Sequence, residues 1–229
     1  MTFSLVARCA RTGQVGMVIS SSSPAVAARC AHVRAGVGAV ASQNITDPAL
    51  GPLVLDQLQA GLAANQALQA VTADRPHIDY RQVLVVDRAG ATAIHSGRQV
   101  LGIWGQAAGA DCAAGGNLLA GPGVPAAMVA AFEAATGPLG ERLMQALEAG
   151  LQAGGEAGPV HSAGLKVADR LDWPVIDLRI DWADDPIGML RAAWEVYAPQ
   201  MQAYVQRAED PTQAPKYGCL LYTSDAADE

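Results

Sequence analysis

Residues 2–8, TFSLVAR, and residues 14–21, QVGMVISS, decide the fold. Successive side chains of a β-strand point to opposite faces, so Phe3, Leu5 and Ala7 share one face and Thr2, Ser4, Val6 and Arg8 the other. Val15, Met17 and Ile19 alternate in the returning run, and Thr12-Gly13 supplies the corner between the two. The chain therefore opens on a β-hairpin whose first strand residue is Thr2.

Outward from the hairpin, Ala35 to Gln43 (AGVGAVASQ) is small, apolar and β-branched enough for a buried strand, closed by the polar NITDP. Leu50, Leu53, Val54 and Leu58 fall at helical spacing, and Gly61 ends that run before LAANQALQAV begins a second helix. RQVLVVDRAG and ATAIHSG form another hairpin around Arg88-Ala89-Gly90. A small-residue strand near ADCAAGGNLLAG leads through Pro122 and Pro125 into the helix AAMVAAFEAA, and Leu139, Leu143, Leu147 and Leu151 line one face of the next helix. SAGLKVAD returns to β, and VIDLRIDW alternates Ile176, Leu178, Ile180 and Trp182 against Asp177, Arg179 and Asp181, a solvated or self-paired face. Asp185 and Pro186 open a final amphipathic helix carrying Ile187, Leu190, Trp194 and Tyr197, which Pro199 bends.

Hairpins separated by pairs of helices do not follow the strict alternation of a parallel doubly wound sheet. The order predicts an α+β fold of antiparallel sheets with helices on the outer faces, two sheets stacked between helix layers. One domain is expected over residues 1–211, followed by a frayed linker at 212–218. Cys219 to Glu229 (CLLYTSDAADE) back-translates into a string matching a transposase adapter used in sequencing libraries. It is read as a non-native tail, with the natural C-terminus and any later domain cut away.

Composition narrows the function. The chain has 229 residues, with 15 Lys and Arg against 22 Asp and Glu, so no basic cluster suits a phosphate backbone and no nucleic acid is expected. No apolar run reaches the roughly 18 residues of a membrane span, and MTFSLVARCARTG has no signal-peptide layout. A cytoplasmic location with no membrane partner follows. Cys9, Cys30, Cys112 and Cys219 stand far apart, which reads as buried thiols rather than zinc ligands. Phosphate-loop, dinucleotide, His-Glu-x-x-His and nucleophile-elbow motifs do not occur, so no metal or other cofactor is expected.

Thr2 carries the chemistry. Methionine aminopeptidase exposes a residue this small, and a mature N-terminal Thr brings a hydroxyl and a free amine onto one residue. That amine, of ordinary pKa about 8, can serve as base for its own hydroxyl. Its alternative is an ordinary second residue.

The words MTFSLVAR, RAGVGAVASQ (Arg34 to Gln43), GPLVLDQLQAG, YRQVLVVD (Tyr80 to Asp87), HSG (His95 to Gly97), GGNLLAGPGV (Gly115 to Val124) and DLRID (Asp177 to Asp181), in this order, resemble the DUF1028 family. That family is placed in the N-terminal nucleophile (Ntn) hydrolase superfamily. The resemblance implies a four-layer αββα sandwich of two antiparallel sheets flanked by helices, and hydrolysis of a small amide-, ureide- or peptide-like bond through Thr2. The segment ISSSSPAVAARCAHV departs from many relatives, which place a bulkier residue or Lys after the second strand.

Asn117, beside Gly115 and Gly116, is the second catalytic candidate, an oxyanion donor or a corner amide satisfying backbone groups. Gln43 and Asn44 at the end of VASQ either orient substrate or serve as turn amides. His95 either binds a substrate carboxylate and relays a proton or is a strand histidine satisfied by backbone. Ser20, in the serine run after the second strand, either approaches the nucleophile or belongs to a polar loop. The partners expected are a small-molecule substrate and a homo-oligomer. The competing reading is a non-catalytic ligand-binding protein on the same fold.

Overall fold

The computed structural model describes residues 1–215. The tail from Cys219 and the end of the expected linker lie outside the described residues. Two compact units divide the chain, Met1–Ala193 and a second from Trp194 onward, where a single domain to residue 211 was expected. The second includes α7 (Met201–Glu209), separated from α6 (Pro186–Tyr197) at Pro199.

The opening hairpin is β1 (Thr2–Arg8) and β2 (Val15–Ser21). With β7 (Gly105–Gly109), β8 (Cys112–Asn117), β9 (Ser162–Ala168) and β10 (Pro174–Ile180) it forms a six-stranded antiparallel sheet of order β10-β9-β2-β1-β8-β7. The second antiparallel sheet runs β3 (Ala31–Arg34), β4 (Gly38–Asn44), β5 (Arg81–Asp87), β6 (Thr92–Ser96). Helices α2 (Leu50–Gln59) and α3 (Ala64–Thr72) pack on the second sheet. Helices α4 (Val124–Ala134) and α5 (Leu139–Gln152) pack on the first. The layers are α, β, β, α, with the short α1 (Val26–Cys30) beside β2 and β9.

Three apolar layers follow from strand parity. Val6, Met17, Ile19, Ala41, Leu84 and Val86 meet between the sheets. Val40, Val83 and Val85 turn outward onto Leu50, Val54 and Leu58 of α2. On the far side Phe3 lies against α5 near Gly150, and both Phe3 and Phe132 are fully buried. β1 is thus buried on both faces, as a central strand of a covered sheet requires. The two sheets approach closely where β8 carries small residues: a Cβ on Gly115 would come within 2.9 Å of Leu84 Cδ2.

Asp87 joins sheet to helix. Its carboxylate accepts from the Ala89 and Ala91 N–H groups at 2.9 and 3.0 Å in the β5–β6 turn, and from Ala64 N–H at the start of α3 at 3.2 Å. Asp87→Ala leaves the buried Ala64 N–H unpaired and gives up the two turn donors to solvent, and a loss of about 2 kcal/mol is expected in urea denaturation, with Asp87→Asn losing less.

Candidate functional site

The inner face of β1 begins with two polar residues, Thr2 and Ser4, where a sandwich interior would ordinarily be apolar. Each therefore needs partners. Ser4 Oγ donates to Gln43 Oε1 at 2.7 Å, and Gln43 Nε2 donates to Gln82 Oε1 at 2.8 Å. Gln82 Nε2 donates in turn to Ser96 Oγ at 3.0 Å. This chain of amides and hydroxyls spans both sheets and fixes β1 two residues beyond Thr2.

Thr2 is 5% exposed, yet it forms part of the wall of a cavity of about 400 Å³ shared with Met1, Ser23, Arg29, Cys30 and Asn44. Its Oγ1 donates to the Met1 carbonyl and lies 3.3 Å from Ser21 Oγ. Ser21 Oγ also contacts the Met1 carbonyl and lies 2.8 Å from Ser23 Oγ. Across the ladder from Thr2 stands Asn117, 1% exposed, whose Nδ2 has no hydrogen-bond partner. A buried amide donor without an acceptor costs on the order of 1–3 kcal/mol, so its presence at this position calls for a reason.

A further group stands at the same end of the strands. Glu156 is 5% exposed, and both its oxygens accept from Ser22 N–H at 3.1 and 3.2 Å. Burial pushes its carboxyl up to about 7, opposed by the terminal ammonium and by the contacts to Ser22. An unfolded Glu titrates near about 4.3, so folding favours the protonated form. The stabilisation is complete below that value and is lost as pH rises through 7, by about 4 kcal/mol at most. Half-buried His32 acts in the opposite direction, because burial lowers its pKa and stability rises with pH up to its unfolded value of about 6.5. Glu156→Gln isolates the carboxyl: denaturation midpoints at pH 5 and pH 7.5 are expected to converge relative to the parent chain.

The other sequence candidates divide. Asn44 reaches the cavity wall with φ of 74°, its Nδ2 donating to Tyr80 O at 2.6 Å and its Oδ1 accepting from Leu101 N–H at 3.2 Å. Gln43 lies behind the site with both ends of its amide engaged, as above, so it supports β1 rather than facing the cavity. Ser20 is corrected to the opposite face: it pairs with Phe3 and donates to Ser162 O at 3.0 Å. The strand parity that puts Met17 and Ile19 inside puts Ser21 there too. His95 is also displaced from the site. It pairs with Val83 on the face toward α3, beside Leu68 and Thr72, with Nε2 3.2 Å from Ile78 O.

Sequence reasoning missed Glu156, Ser23 and Arg29. Glu156 sits alone between small residues in GGEAGP, and the pairing of Leu119 with Glu156, with the flanking Ala120 N–H to Gly155 O and Ala157 N–H to Leu118 O bonds, carries it toward the β8 end. Cys9, Cys30 and Cys112 are free and buried, and burial raises the Cys30 thiol. Among the described residues no helix is long and apolar enough to cross a membrane.

The model of the family described as "Family of unknown function (DUF1028)" matches residues 2–190. The crystal structure of protein SPO2555 from Silicibacter pomeroyi is similar with a TM-score of 0.80 and 30% identity, covering 86% of this chain and 89% of that one. Anbu, the ancestral beta-subunit from Yersinia bercovieri, aligns with a TM-score of 0.39 and 11% identity over 88% of this chain and 97% of its own. None of the curated proteins compared with the chain matches it.

Proposed function

The chain belongs to the DUF1028 family, and from that premise and the surroundings of Thr2 we propose a cytoplasmic Ntn hydrolase that cleaves a small amide-, ureide- or peptide-like bond through Thr2. The observation that carries the reading is the orphan amide of Asn117 directly across the ladder from a buried threonine beside a cavity. A donor without a ground-state acceptor is suited to charge that develops only in the transition state.

Removal of Met1 frees the Thr2 amine. Thr2 Oγ1 then attacks the substrate carbonyl carbon, and its proton passes to that amine, directly or through Ser21 Oγ. The tetrahedral oxyanion receives the Asn117 Nδ2–H. The carbon–nitrogen bond breaks, the departing nitrogen takes the proton, and an ester remains on Thr2. Water attacks the ester with the same amine as base, and Thr2 is restored with one water consumed. A small-molecule substrate and self-association belong to the same reading.

Intact-mass measurement and a panel of amides and ureides test it together. The purified chain is expected to lack Met1 and to release amine or ammonia from a panel member. Full turnover by protein that retains Met1 refutes the mechanism, since the masked nitrogen cannot act as base.

A further inference from the structure

We propose that the cavity beside Thr2 is built for an anionic substrate, a small N-acyl or N-carbamoyl amino acid whose carboxylate is held by Arg29. The proposal rests on the hydrolase reading for the fate of the substrate, and on the cavity's own chemistry for its recognition.

The chain carries a formal charge of -7, yet no carboxylate lines this cavity, and Arg29 does. Arg8, Arg34, Arg75, Arg98, Arg179 and Arg191 each pair with an acidic side chain. Arg29, like Arg81 and Arg142, donates to neutral acceptors, and of these three it is the one on the cavity wall. Its Nη1 donates to Pro24 O at 2.6 Å and Ala25 O at 3.2 Å, and its Nη2 donates to Ser23 Oγ at 3.3 Å. These bonds fix the plane of the guanidinium and leave its charge uncompensated among the described residues. A guanidinium has five N–H donors, so Nε–H and one Nη2–H remain. Guanidinium N–H donors left free in this way pair with a carboxylate through short, charge-assisted hydrogen bonds.

Position relative to the nucleophile limits the substrate further. Arg29 reaches Ser23 Oγ, Ser23 reaches Ser21 Oγ, and Ser21 reaches Thr2 Oγ1, an unbroken line of polar contacts of 3.3, 2.8 and 3.3 Å. An anion at one end and a scissile carbonyl at the other require a compact molecule with the two groups a few bonds apart. N-Acyl and N-carbamoyl amino acids meet that condition. Val26, Ile45 and Pro48 supply an apolar surface on the same wall for the rest of the molecule. Hydrolysis of such a substrate takes up one water and yields a free amino acid with a carboxylic acid, or with carbamate that decomposes to ammonia and carbon dioxide.

The test separates recognition from turnover. Thr2→Ala keeps a small second residue, so Met1 is still removed, and it binds without cleaving. Calorimetric titration of this protein is run with N-carbamoyl-alanine, N-acetyl-alanine and N-benzoylglycine, each against its uncharged carboxamide. At least one carboxylate is expected to bind about tenfold more tightly than its carboxamide, a difference of about 1.4 kcal/mol. Adding Arg29→Gln is expected to erase that difference, and Arg29→Lys to keep part of it. Arg29 also holds Ala25, whose φ is 51°, so melting curves accompany each variant. Should Arg29→Gln fail to fold, Arg29→Lys and the weakening of carboxylate binding by salt carry the decision. Equal affinity within every pair, no binding of any carboxylate at millimolar concentration, or a preference that survives Arg29→Gln overturns the proposal. Binding of carboxylates by a parent chain that never cleaves them supports this assignment and sinks the hydrolase.

Discussion

Thr2→Ala is expected to reduce turnover by about 10³-fold or more, and Thr2→Ser to retain a measurable fraction. The contrast is sharp because both substitutions preserve what surrounds the residue. Thr2 is small and 5% exposed, its backbone pairs with Asn117 of β8, and either replacement fits its space. Serine keeps the hydroxyl and the α-amine, losing the methyl group that restricts χ1 and sets the oxygen toward Ser21. Alanine keeps the amine and removes the attacking atom. Melting temperatures are expected to stay close to that of the parent in both. Three readouts check this: intact mass for Met1, circular dichroism for the fold, and kcat/KM on a hydrolysed panel member. A Thr2→Ala protein that turns over like the parent ends the nucleophile assignment, whatever its stability.

Much of the architecture was legible because strand and helix periods are written plainly in the apolar residues. The hairpin β1–β2 and the alternation that buries Val6, Met17 and Ile19 between the sheets needed only parity. Parity also assigned Ser21 to the inner face, and the choice of Ser20 failed by not carrying Ile19 one step of two onward. The strand β7, GQAAG, escaped because glycine and alanine show no apolar alternation. The pair α1–β3 is too short for a period to develop.

His95 and Gln43 show a different limit. Residue type suggested chemistry for both, but orientation decided it. One faces the helix layer, and the other has its amide consumed by Ser4 and Gln82. Glu156 was illegible for the opposite reason. Its surroundings in the sequence are glycine and alanine, and its burial is made by segments distant along the chain, Ser22 above all. Arg29 lay inside the segment that departs from the family pattern after the second strand. The departure read as the absence of a bulkier residue or Lys after the second strand, and the fold places a cation, Arg29, at the cavity wall.

Asn117→Leu is expected to lower kcat by about 10²–10³-fold, the range found when one oxyanion donor is removed, while raising stability by about 1 kcal/mol. The two signs come from one observation. Nδ2 is buried with no acceptor, so the folded chain carries an uncompensated desolvation that an apolar side chain of similar volume removes. In catalysis the same donor meets an acceptor only when the carbonyl oxygen becomes negative. Substrate binding therefore changes little and KM stays near its parent value, so the loss falls on kcat. Asn117→Asp replaces the donor with a carboxylate oxygen facing the oxyanion, and its kcat is expected to fall at least as far, with stability lowered by a buried charge. Urea denaturation and steady-state kinetics on the same preparations decide the matter. Near-parental kcat in Asn117→Leu removes the amide from the chemistry. A stability loss above about 1 kcal/mol shows that Nδ2 serves the resting fold, and Thr2 then needs another source of oxyanion stabilisation.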